Sequence, residues 1–266
     1  MRNHAWDKVL GEAQSGDHQV VLYEQERFLY DSTAEFLSAA LRNGRHALIV
    51  ATPAHAAGIR AALEARGNLK GDASDGDRLT FLSARETLSQ LLADGWPDPR
   101  TVQTLVGDAL DRAAARGEGP PAVYGEMVDL LFQAGLRGPA ARLEELWTGI
   151  GRTRQFSLLC GYRIDFFEPK AGAAIREVAC SHSHVVPVQD DEKLEAALDR
   201  ALAETMGDEG ASLRSLLLAY PPPLPPMPPA AAALLWLRDS LPGLADPVLT
   251  RVRDLYRNPC EWIARS

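Results

Sequence analysis

Short, continuously apolar runs alternate with longer segments of helical periodicity through residues 18–188, and that alternation restricts the fold more than any other feature of the chain. The runs His18–Tyr23, Ala47–Ala51, Arg78–Leu82, Ala122–Met127, Gln155–Tyr162 and Val185–Val188 read as strands. A strand that is apolar on both faces needs cover on both faces, and an interior parallel strand between two layers of helices receives it. Helical segments fill the gaps at Arg27–Arg42, Pro53–Arg66, Arg85–Ala93, Arg100–Arg116, Ala140–Arg154 and Ala171–Ser181. Asn43-Gly44, Gly67-Asn68, Gly95-Trp96-Pro97 and Gly117–Pro121 end four of them, and Gly71–Asp77 is a turn-rich approach to the third strand. Strands joined through helices imply right-handed crossovers. The expectation is an α/β domain of three layers with a mostly parallel sheet.

The character changes at Asp190. Glu192–Met206 and Leu213–Leu218 read as helices, Pro221–Pro229 as an extended polyproline spacer, and Ala230–Asp239 and Asp246–Arg257 as a final helical pair. The division is therefore residues 1–189 as the α/β domain and 190–266 as a helical C-terminal extension. At about 3.1 Å per residue the spacer could hold the last two helices roughly 28 Å from the preceding one. Their apolar residues Leu234, Trp236, Val248, Val252 and Leu255 need a partner surface: the α/β domain, a second copy or a signalling protein.

Several function classes are excluded by what the chain lacks. With 46% hydrophobic and 24% charged residues over 266 positions it has the composition of a water-soluble globular protein. Its net charge of −8 and the absence of a basic patch argue against nucleic acid as a partner. No stretch has the roughly 20 apolar residues of a membrane span, and Met1–Lys8 lacks the apolar centre of a signal peptide, so a cytoplasmic location and no membrane partner are expected. Cys160, Cys180 and Cys260 are too few and too irregular for a disulfide framework. No Gly-Lys pair exists to build a phosphate loop, and Gly149-Ile-Gly151 lies inside a helical segment rather than after a strand. Cys180-Ser-His182-Ser-His184 has zinc-ligand residue types at alternate positions, without the usual spacing or a fourth member. Neither a cofactor nor a metal is assigned from the sequence, and no nucleophile elbow occurs.

The candidate site comes from strand ends. In open α/β sheets the carboxyl ends of parallel strands border the ligand crevice. Tyr23, Glu126, Cys160 and Tyr162 fall at or just past such ends and are expected to gather on one rim. Two aromatic faces, a carboxylate and a soft thiol suit a small, partly apolar ligand with one polar or cationic handle. His18 opens the first strand, at its opposite end, and reads as a structural cap.

His18-Gln-Val-Val-Leu-Tyr23, Tyr124-Gly-Glu-Met127, and Leu159-Cys-Gly-Tyr162 followed about twenty residues on by a histidine, either His182 or His184, together resemble the MEDS family, the methanogen/methylotroph DcmR sensory domain. The resemblance implies a core like that of RecA-type ATPases without the nucleotide loop, and a sensory role in bacterial signalling and transcription regulation. Family members are often joined to a DNA-binding helix-turn-helix or a kinase module, neither of which is visible here. The family's cysteine strand commonly continues Tyr-Asp, whereas Arg163 follows Tyr162 here and the acid comes at Asp165. The leading expectation is a non-catalytic sensory domain that binds a small molecule and signals through protein contacts or self-association. The alternatives are a cofactor-independent enzyme using Glu126 and Cys160, and a ligand-free interaction adaptor.

Overall fold

The computed structural model describes residues 5–69, 78–219 and 226–258. The Gly71–Asp77 turn, Pro221–Pro225 of the spacer and Cys260 lie outside them. Six parallel strands form one sheet: β1 (His18–Leu22), β2 (Ala47–Ala51), β3 (Leu79–Ser83), β4 (Ala122–Gly125), β5 (Ser157–Tyr162) and β6 (His184–Val186). Their spatial order is β3-β2-β4-β5-β1-β6. β2, β4 and β5 are buried at every residue, as the unbroken apolar runs require.

Side-chain alternation sorts the core into two halves. On one face Val21, Tyr23, Ile49, Tyr124 and Leu159 pack under α1 (Ala5–Gly11), α2 (Glu26–Arg42) and α3 (Pro53–Ala65). On the other, Val20, Leu22, Val123, Leu158, Cys160 and Tyr162 pack under α4 (Ala84–Leu91), α5 (Pro99–Ala114), α6 (Met127–Gln133), α7 (Arg137–Gly151) and α8 (Gly172–Ala179). The result is the expected three-layer α/β fold. Ser83 and Asp98 cap α4 and α5 by accepting from the amides three residues on, and Pro99 starts α5 where no amide donor is needed. A two-residue hairpin, Leu92–Ala93 with Trp96–Pro97, turns through Asp94 and Gly95, both at positive φ.

The C-terminal helices are α9 (Asp191–Met206), α10 (Asp208–Ala219), α11 (Pro229–Ser240) and α12 (Pro242–Arg257). They are not held away from the domain. Leu194, Leu198, Leu202, Leu234, Leu235, Val248, Val252 and Leu255 join the core of the second face, each no more than 1% exposed, while Trp236 is partly buried. Burying each such side chain stabilises by about 1.5–3 kcal/mol. Pro226 is docked at the sheet: its carbonyl accepts from Val185 N at 2.9 Å, covering part of the open edge of β6. No helix among the described residues is long and apolar enough to cross a membrane.

Candidate functional site

Three pairs of neighbouring strands, β3/β2, β2/β4 and β5/β1, send their connections in opposite directions, and the carboxyl end of such a pair is where a parallel sheet can open a crevice; the last two pairs bear on the residues named above. After β2 the chain runs outward to β3, whereas after β4 it runs the other way to β5. After β1 it crosses towards β2, whereas after β5 it passes β1 to reach β6.

The β2/β4 crevice is filled by its own side chains. Glu126, 2% exposed, accepts from Thr52 N at 2.5 Å, from His55 Nδ1 at 2.6 Å and from the Tyr124 hydroxyl at 2.9 Å. Burial opposes ionisation of this carboxyl, but the hydrogen bond and charge of His55 and the Thr52 amide prevail and hold its pKa below the usual range. His55 is raised in turn, chiefly by its bond to Glu126. Tyr23 packs edge-on against His55 with ring centres 5.9 Å apart, and burial pushes its phenol well up. Gly161 makes this arrangement possible. A Cβ there would meet the Tyr124 hydroxyl at 2.7 Å and Leu29 Cδ1 at 2.9 Å.

Cys160 and Tyr162 face the opposite side of the sheet, so the expected single pocket is divided. The register explains why: Val20 pairs with Cys160 and Leu22 with Tyr162, placing them all on one face, whereas Tyr23 has the opposite parity. Cys160 and Tyr162 instead meet a buried carboxylate from α7, Glu144. Tyr162 donates to Glu144 Oε1 at 2.7 Å, His18 Nε2 lies 3.3 Å from Oε2, and His182 Nε2 lies 3.6 Å from Oε1. His18 Nε2 is also 3.4 Å from Cys160 Sγ, and its ring is 4.2 Å from that of His182. His18 is thus no strand-opening cap: its side chain leans along the sheet into this cluster. Nearby charges overcome burial at Glu144 and keep it below the usual carboxylate range, while desolvation lowers His182 to about 4. Burial pushes the Cys160 thiol well up. His182 Nε2 is buried without a hydrogen-bond partner, an omission that costs about 1–3 kcal/mol, and Glu144 Oε2 is approached by His18 Nε2 without a well-formed hydrogen bond.

Cys180 is exposed and His184 bonds Ser183, so the local Cys180-His182-His184 set does not assemble. Only His182 reaches the cluster, anchored by Nδ1 to the Val178 carbonyl at 2.7 Å. Glu144, His55 and Asp129 went unnoticed in the sequence. Asp129 accepts from Arg163 N and Gln133 Nε2, and burial raises its pKa to about 6. The one sequence cue for Glu144 was a carboxylate on the helix face shared with Leu143 and Trp147.

The β1/β5 crevice is the open one, with a cavity volume of about 100 Å³. Leu22, Phe28, Ile164, Phe167, Val188 and Tyr256 supply apolar walls, and none of Tyr23, Glu126, Cys160 or Tyr162 lines it. Arg257, at the end of α12, spans its mouth, bonding Glu24 at 2.6 Å and Asp165 at 3.0 Å. The Phe167 and Tyr256 rings lie 5.2 Å apart beside it.

The strand order and the two helical layers define a parallel α/β domain with an open crevice at a strand-order reversal, where Tyr23-Glu-Gln-Glu26 follows the first strand. The sequence matches the family MEDS: MEthanogen/methylotroph, DcmR Sensory domain, over residues 17–183. That is more than half the chain, and the chain belongs to this family of sensory domains. No curated protein matches it in sequence.

Proposed function

We propose that this sensory domain receives its signal in the β1/β5 crevice, from a small molecule with an apolar body and one cationic or polar handle. The observation that carries the reading is the Arg257 bridge. Glu24 and Asp165 come from the segments that follow β1 and β5, and the guanidinium joining them comes from the last turn of α12. Half-exposed ion pairs of this kind contribute only about 0–1 kcal/mol each. A ligand cation that took the place of Arg257 between the two carboxylates would meet little resistance, and its apolar body would lie against Phe28, Phe167 and Tyr256. Release of the α12 terminus is then the outgoing signal, offered to a partner protein or a second copy.

The enzyme alternative placed Glu126 and Cys160 in one cleft. The sheet now stands between them, and three donors already engage the Glu126 carboxylate. Isothermal titration with benzylammonium, an aromatic body with one cationic handle, tests the sensory reading. Arg257→Ala removes the competing cation and is expected to tighten binding several-fold, whereas Asp165→Asn weakens it. Unchanged affinity in both variants would refute the latch.

A further inference from the structure

Away from the crevice, four side chains from four separate segments converge under the second face of the sheet. They are His18 from β1, Glu144 from α7, Cys160 from β5 and His182 from the turn after α8, and one ligating atom from each lies within 4.8 Å of the others. A cluster of this composition has no need of unpaired atoms, yet His182 Nε2 is buried without a hydrogen-bond partner, and buried Glu144 Oε2 is approached by His18 Nε2 without a well-formed hydrogen bond. The outer contacts orient them. His182 donates from Nδ1 to the Val178 carbonyl, which leaves a lone pair on Nε2, and Tyr162 donates to Glu144 Oε1, which leaves Oε2 to face His18 Nε2 at 3.3 Å. Metal-bound histidines and carboxylates are held in this way by second partners.

The separations agree with the same reading. Tetrahedral bonds of about 2.0–2.3 Å place ligand atoms about 3.3–3.8 Å from one another. His18 Nε2 lies 3.4 Å from Cys160 Sγ and 3.3 Å from Glu144 Oε2, and His182 Nε2 lies 3.6 Å from Oε1 of the same carboxylate. Pairs farther apart close with an inward shift of about an ångström. A recess lined by Gly16, Asp17, His18, Trp147 and Thr148 gives an entry path at the His18 side.

We propose that His18, Glu144, Cys160 and His182 form a closed, four-coordinate site for a divalent transition metal of the zinc class. Two imidazoles, a thiolate and a carboxylate are the donors such an ion takes, and four protein ligands with no open position mark a structural rather than a hydrolytic centre. Binding forms a metal–sulfur bond as the Cys160 thiol gives its proton to solvent. The ion's two positive charges then meet one thiolate and one carboxylate, so the buried centre is neutral overall. Such an ion would tie β1 and β5 to α7 and to the turn after α8.

The test uses the full chain in a Cys180→Ser, Cys260→Ser background, stripped with chelator and titrated with Co²⁺ alone. One equivalent is expected to bind, with a thiolate-to-cobalt charge-transfer band in the near ultraviolet, tetrahedral bands in the visible, and displacement by Zn²⁺. Zn²⁺ alone should raise the melting temperature. Cys160→Ala should abolish the charge-transfer band. Glu144→Gln keeps the side-chain shape, so circular dichroism can verify its fold, and should weaken Co²⁺ by more than the roughly 10–100-fold that losing an outer partner costs. Absence of saturable binding in the parent, a charge-transfer band that survives Cys160→Ala, or unchanged affinity in a folded Glu144→Gln would overturn the assignment.

Discussion

Replacing His55 by alanine isolates the chemistry of the β2/β4 crevice. The Glu126 carboxylate would lose its 2.6 Å charge-assisted hydrogen bond and keep only the Thr52 amide and the Tyr124 hydroxyl. Breaking a buried ion pair costs about 3–5 kcal/mol when a charge is left bare. Two surviving donors move the expected loss to about 2–3 kcal/mol, near the value of a hydrogen bond to a charged group. In a chain of this size that corresponds to a fall in melting temperature of roughly 5–10 °C. The pH dependence gives a second check. Since the folded pKa of His55 is raised, its contribution is complete below the ordinary histidine value of 6.5 and is lost as pH rises through the folded value. The lowered pKa of Glu126 makes its contribution present above 4.5, with loss as pH falls through the folded value. Urea denaturation should therefore show the largest difference between parent and His55→Ala at about pH 4.5–6.5, shrinking towards pH 9. A difference below about 0.5 kcal/mol, the ordinary range for surface substitutions, or one that does not vary with pH, would refute this account of the pair.

Gly161→Ala should cost about 1–3 kcal/mol, because its Cβ would collide with the Tyr124 hydroxyl, and Tyr124→Phe in the same chain should recover part of that loss; fully additive effects in urea melts would contradict the contact. Truncation after Asp208 removes Leu234, Leu235, Val248 and Val252 from the core, so the shortened chain should melt far lower and bind a hydrophobic dye; an unchanged melting temperature would show that these helices are an independent unit. In native protein a thiol reagent should modify exposed Cys180 and leave buried Cys160 untouched until denaturant is added, as peptide mass mapping would reveal.

The sheet was legible because each interior strand had to be apolar on both faces, and periodicity marked most of the covering helices. α6 escaped notice because its seven residues follow β4 after Glu126 alone and its first residue, Met127, read as the end of the strand. Residue types and strand ends drew attention to Glu126, Cys160 and Tyr162. Their partition between two faces was not legible, since it depends on which strands are neighbours and in what register. Glu144 and His55 sit on helices whose periodicity is satisfied without them, and their partners lie 18 or more residues away. His182 differs from His184 only in three dimensions: one ends a helical turn and points inward, the other starts the edge strand β6.

The central claim, an input crevice between β1 and β5 latched by the end of α12, is tested most directly by amide chemical-shift mapping of the full chain during a benzylammonium titration. The account predicts saturable shifts concentrated at Leu22–Phe28, Ile164–Phe167 and Tyr256–Arg257, with increased mobility of the last turn of α12 at saturation. Saturable shifts confined to other parts of the sheet, or binding that leaves α12 unchanged, would contradict it.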